Sequence, residues 1–134
     1  SDVYKRQVGI LISLTGCSTL MDAYLMKYDP NEYQQISDIR TTAFYGKASC
    51  ENADQAKQQA EVLSKKTYTF KNYVEYLPHN DKVISASGEL DKIAQGLTLQ
   101  YQKGSVSNAF CKIKFDSIEK SAEVMQKTIG AKPR

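Results

Sequence analysis

The feature that most constrains this chain is a stripe of apolar residues recurring in steps of three and four. Between Asn52 and Leu77 it runs through Ala53, Ala56, Ala60, Leu63, Phe70, Val74 and Leu77, with Thr67 as a polar occupant of one core position. Such spacing puts the marked side chains on one side of an α-helix, which must then pack lengthwise against others. Asn52, followed three residues later by Gln55, suits an N-terminal capping box, and Pro78 stops the helix. At ~1.5 Å per residue the segment predicts a rod of roughly 40 Å.

The pattern repeats downstream. After His79-Asn80-Asp81, where Asn80 or Asp81 can cap, a second stripe carries Val83, Ala86, Leu90, Ile93 and Leu97 and ends near Gly104. Gly88 and Gly96 fall inside it, and each costs roughly 1 kcal/mol relative to Ala in a helix. A third segment, Ser105 to Ile129, places Cys111, Phe115, Ile118, Ala122, Met125 and Ile129 on one side, with Gly130 and Pro133 as stop signals. Upstream, Asp29-Pro30-Asn31 opens another helical stretch with Tyr33, Ile36, Ile39 and Ala43 aligned, and Gly46 marks a turn or a kink. The fold class expected is all-α: an antiparallel bundle of three helices, or four if the first stretch joins the core.

One stretch also reads another way. Leu97, Leu99 and Tyr101 alternate with polar residues, as do Cys111, Ile113 and Phe115, and Lys103-Gly104-Ser105 lies between them. That alternation suits a β-hairpin over 97–115, with Asp116 capping a shorter last helix and Glu119 completing its box. The three-four stripe continues across both halves, which favours helix.

The N-terminus carries a different signal. Residues 1–7, SDVYKRQ, begin without Met and resemble translated adapter sequence, so Lys5 and Arg6 are set aside. Val8-Gly9-Ile10-Leu11-Ile12-Ser13-Leu14 is a short apolar run of the length of a secretory h-region. It leads into Leu14-Thr15-Gly16-Cys17, an aliphatic residue and two small ones before a Cys. This string resembles the lipobox of bacterial lipoproteins, and the resemblance covers residues 8–18 only. It implies cleavage before Cys17 and acylation of the Cys17 thiol, which would hold the chain on a lipid bilayer without crossing it. Ser18 rather than Asp after the Cys points to the outer membrane, with a periplasm-facing body; inner-membrane anchoring is the alternative. The structural alternative for Cys17 is a buried core thiol. The domain plan expected is a truncated signal peptide at 1–16, an anchor and tether at 17–30, and a single helical domain over 31–130. Met21, Tyr24, Leu25, Met26 and Tyr28 form an amphipathic lead-in that can rest on headgroups or pack on the bundle.

With Cys17 acylated, Cys50 and Cys111 remain, an even number in an oxidising space, and a disulfide between them is expected. Antiparallel helices joined by short connections make the segments starting at Cys50 and near Ser105 parallel, so their starts share one end. Diagonal helices of a four-helix bundle are too far apart for a disulfide. The expectation is therefore a three-helix core with the first helix peripheral, the approach allowed by Ala53, Ala56 and Ala60.

Composition excludes more than it suggests. The chain of 134 residues carries 18 basic and 15 acidic side chains, a net charge of +3 too mild to argue for nucleic acid. There is one His, at 79, in a Pro-His-Asn-Asp turn that reads as a solvated loop, and no second His to complete a metal site. The glycines lack the spacing of a phosphate loop, and no Ser stands in a nucleophile-elbow context. Glu119 and Glu123 read as an exposed helix face, Lys65, Lys66, Lys112 and Lys114 as solvated charge, and Tyr68, Tyr73 and Tyr76 as cover for the core or an interface. No catalytic residue, cofactor or metal is expected. The function expected is a small envelope lipoprotein with a structural or interaction role, bound to an envelope protein or the cell wall. The alternative is a phage- or prophage-encoded lipoprotein acting in lysis or superinfection exclusion.

Overall fold

A computed structural model describes residues 26–134. Cys17 and the lipobox, the signal segment and most of the tether lie outside the described residues. Four α-helices and no strand are found among those described: α1 (Pro30–Ala48), α2 (Ala53–Val74), α3 (Asp81–Lys103) and α4 (Asn108–Gly130).

Three of the four helices start where a side chain supplies a partner for a first free N–H group. Asp29 accepts from the Asn31 N–H ahead of Pro30, whose fixed φ suits the first helical position. Asn52 accepts from the Gln55 N–H at 3.1 Å, and Ser107 from the Phe110 N–H at 3.1 Å. α3 differs. Asn80 occupies its cap position but makes no side-chain capping bond, because its amide is engaged elsewhere. His79 precedes it at φ 58°, a left-handed conformation uncommon outside glycine.

Connections of a few residues make consecutive helices antiparallel neighbours, and α4 returns to pack along α1. The core is one stripe from each helix. Ile36, Ile39 and Ala43 come from α1; Ala56, Leu63 and Phe70 from α2; Leu90 and Leu97 from α3; Phe115, Ile118 and Ile129 from α4. Ala53, counted in the stripe from sequence, is exposed instead.

Two expectations and the alternative hairpin reading need correction. The segment 97–115 forms no hairpin. Its apparent alternation mixes two faces of helices: Leu97 and Tyr101 are buried four residues apart while Leu99 is 52% exposed, and Cys111 and Phe115 flank an Ile113 that is 66% exposed. Gly46 is not a turn, since it lies within α1. Finally, α1 is not peripheral, and the disulfide does not join diagonal helices. Cys50 belongs to the connection after α1, and Cys111 to the first turn of α4, α1's direct neighbour. The Cα atoms of the bonded pair are 5.8 Å apart, in the range a disulfide needs. The Ala53-Ala56-Ala60 surface has no part in that approach.

Next to the disulfide, the Phe115 ring fills the space where a side chain on Gly46 would stand. A Cβ built there would meet ring carbons at 2.3 to 2.7 Å. Lys47 spans the same seam, its Nζ donating to Asp116 Oδ1 at 2.9 Å and Glu119 Oε1 at 2.6 Å. Glu119 therefore faces α1 and is buried, against the sequence expectation of an exposed face. The two carboxylates, Glu119 foremost, raise the Lys47 pKa, and Lys47 in turn lowers that of Asp116.

Two predictions follow from this seam. Gly46→Ala should destabilise the fold by about 1–3 kcal/mol through overpacking. Gly88→Ala and Gly96→Ala, where an added Cβ meets nothing, should each stabilise by up to about 1 kcal/mol. Urea midpoints of the three variants read the contrast directly. Reducing Cys50–Cys111, which closes a separation of 61 residues, should cost about 4 kcal/mol on the chain-entropy account. Thermal melts with and without reductant measure it, and peptide mapping without reductant should recover the two cysteines linked.

Candidate functional site: the chain-entry end of the bundle

The residues that join the helical body to its N-terminal lead-in meet the C-terminus at one end of the molecule. The Tyr28 N–H donates to the Pro133 carbonyl at 2.9 Å, and the Met26 N–H to the His79 carbonyl at 3.4 Å. The Arg134 guanidinium stacks 3.8 Å from the centre of the Tyr28 ring, which tilts against Tyr33 at 5.8 Å. Both ends of the described chain are thus strapped to the bundle by backbone and side-chain bonds together.

Beneath the straps lies a buried polar cluster. Glu32, in the first turn of α1, is fully buried. Its carboxylate accepts from Lys132 Nζ through Oε1 and from Asn80 Nδ2 at 2.7 Å through Oε2. Lys132 also donates to Asn80 Oδ1 at 2.7 Å and reaches Met26 Sδ at 3.5 Å. All three ammonium hydrogens are then engaged, and one residue each from the starts of α1 and α3 is tied to the tail after α4. A buried carboxylate without such partners would be costly by several kcal/mol. On the neighbouring corner Tyr73 donates its hydroxyl to Asp29, and that carboxylate raises the phenol's pKa.

A cleft of about 520 Å³ opens beside the cluster, lined by Met26, His79, Val83, Thr128, Lys132 and Pro133 among others. His79 is exposed at its rim, as expected of a loop residue. Lys27, Lys82 and Arg134 are also exposed, and Tyr76 projects from the α2–α3 connection with 86% of its surface free. Among the described residues no group of three or more His, Cys, Asp or Glu could hold a metal. No described helix is long and apolar enough to cross a membrane.

No family model, curated protein or solved structure matches the chain. Its residues must speak for themselves.

Of the residues singled out in sequence, the described part brings together Cys50 and Cys111 and leaves Tyr68 and Tyr76 on the surface. Glu32, Asn80 and Lys132 were not read as a cluster. Each is polar and unremarkable in the string, and nothing but the three-dimensional meeting of α1, α3 and the tail distinguishes them. The one available signal was Glu32's position four residues before Ile36 on the core stripe.

Lys132→Met should leave Glu32 buried without its cation and cost about 3–5 kcal/mol. Adding Glu32→Met should recover much of that loss, because the buried charge goes with it. Urea unfolding of the single and double variants tests this; equal losses in both would show that packing rather than charge pairing matters there.

Proposed function

We propose that the protein is a small envelope lipoprotein, held on a bilayer by acyl chains at Cys17, whose helical body serves a structural or interaction role in the periplasm. The observation that carries the reading is the string Leu14-Thr15-Gly16-Cys17 behind an apolar run. Three features of the described chain support it. Met26, nine residues after Cys17, is bonded at one end of the bundle, so the lead-in arrives at a fixed point. That end presents Lys27, Lys82, Arg134 and Tyr76, the cations and aromatic side chains suited to a headgroup layer. The disulfide sits at the opposite end and fits an oxidising compartment.

In this arrangement the bundle stands on the membrane by the Lys132–Glu32–Asn80 end. The four helices extend about 33 Å outward at ~1.5 Å per residue, leaving their long sides open to a protein or cell-wall partner. Single acyl chains hold weakly and reversibly, so a second chain or the basic end is needed for stable residence. The role proposed for the body is binding, with no reaction assigned to it.

Expressed in a bacterium behind a complete leader, the chain should incorporate labelled palmitate and partition into detergent. A Cys17→Ser variant should lose both properties while its body stays folded. Undiminished label and membrane residence in that variant would overturn the reading.

A further inference from the structure

Another buried carboxylate among the described residues lies on the long side of the bundle. Asp91, halfway along α3, is 6% exposed. Its Oδ1 accepts from Thr67 Oγ1 at 2.9 Å and from Gln95 Nε2 at 3.0 Å. Gln95 donates its other amide hydrogen to the Ser64 carbonyl at 2.9 Å, so the amide is locked and Oδ1 is fully engaged. Asp91 Oδ2 takes no hydrogen bond from the described residues, and no ion pair to it forms among them. Nor is it sealed in: among the described residues the one buried side-chain atom left without a partner is Gln35 Oε1. Oδ2 therefore opens outward.

It opens on a cleft of about 370 Å³ between α2 and α3, lined by Ser64, Lys65, Tyr68, Asp91 and Gln95. Tyr68 is 54% exposed there, a phenol ring left largely in water at the cleft's edge. Lys65 stands at the rim and forms no ion pair with Asp91. A carboxylate withdrawn from water is normally compensated by a cation, as Glu32 is by Lys132. Here the carboxylate is oriented by two helical side chains, Thr67 and Gln95, its free oxygen faces out, and the Tyr68 ring lines the same cleft. That combination suits an ammonium or guanidinium group, which gains the charge-assisted bond from Oδ2 and the ring's negative face.

We propose that this cleft receives a lysine or arginine side chain of a partner protein. The inference rests on the interaction role proposed above and names the partner's chemistry. A protein side chain is chosen over a lipid headgroup because Asp91 lies ten residues into α3, roughly 15 Å above the chain-entry end. Headgroups of the membrane that holds the chain do not reach that height on the bundle's flank.

The test uses the detergent-solubilised full chain, labelled for amide NMR. It is titrated with the methylamides of acetyl-lysine, acetyl-arginine and acetyl-norleucine, and with phosphoethanolamine. Saturable shifts of the Gln95 side-chain amide and the Tyr68 backbone amide are expected with lysine and arginine, and none with norleucine. Asp91→Asn, close in shape, should weaken the cations tenfold or more, and Tyr68→Leu by roughly two- to fivefold. Should Asp91→Asn fail to fold, the exposed Tyr68 variant decides alone, and unchanged affinity there overturns the proposal. So do equal shifts with norleucine, no saturable shift with either cation, or full affinity in folded Asp91→Asn. Phosphoethanolamine binding as tightly as the lysine probe would overturn the assignment to a protein side chain. Loss of palmitate labelling tests the anchor and leaves this titration unaffected, so the two readings fail separately.

Discussion

Closure of the bundle depends on the seam between α1 and α4. The other neighbouring pairs are joined by connections of a few residues, so the chain has little choice but to fold them side by side. α1 and α4 are the first and last helices and share no connection. Their meeting must be specified by side chains, and the specification is strict at the end near the disulfide. The Phe115 ring occupies the notch left by Gly46, Cys111 reaches Cys50, and Lys47 bridges to Asp116 and Glu119. A one-turn slip of α4 would drive the ring into backbone, separate the sulfurs and strand the ammonium. At the other end Arg40 and Tyr33 both bond Gln126, continuing the same register down the seam.

With that seam fixed, the two termini of the described chain are carried to one end. α1 begins where α4 finishes, so Met26 and Tyr28 fall beside Lys132 and Pro133 without any further device. The buried Glu32–Lys132 pair is then possible only in the closed bundle, since its partners lie 100 residues apart in sequence. Its desolvation cost means that the pair adds less net stability than its short contacts suggest. What it adds is specificity: an alternative register would leave a full charge in the core.

The helical stripes were legible because burial on one side of a helix leaves a period in the string. Leu63, Phe70, Val74, Leu90, Leu97, Phe115 and Ile129 all lie where that period places them. The cap at Asn52 was legible from its neighbour Gln55, and the start of α1 from Asp29-Pro30-Asn31. The failures are non-local. Leu99 and Ile113 imitate strand alternation because single exposed apolar residues are ordinary on helix surfaces. Cys50 was assigned to the helix that follows it, when the bond depends on the helix that precedes it. Gly46 resembles a breaker in sequence, and its purpose appears only once Phe115 is beside it. The lipobox proposed at Leu14-Thr15-Gly16-Cys17 is of another kind: a processing signal would be read as a string, and no packing of the body bears on it.

Buried carboxylates were invisible to periodicity, and two of the three among the described residues, Glu32 and Asp91, repay comparison. Glu32 and Asp91 are both withdrawn from water, and each is reached by an amide nitrogen, from the cap residue of α3 and from within α3 respectively. Glu32 has both oxygens engaged and a cation supplied by its own chain, so its demands are met within the fold. Asp91 has one oxygen that accepts from Thr67 and Gln95, and the other left toward a cleft. The difference is not one of depth. Lys132 comes from a tail that wraps back over its carboxylate, whereas the neighbours of Asp91 lie along two helices, and Lys65, which lines the same cleft, makes no ion pair with it. A carboxylate that the fold orients without neutralising is the kind of group whose missing charge an outside partner can supply.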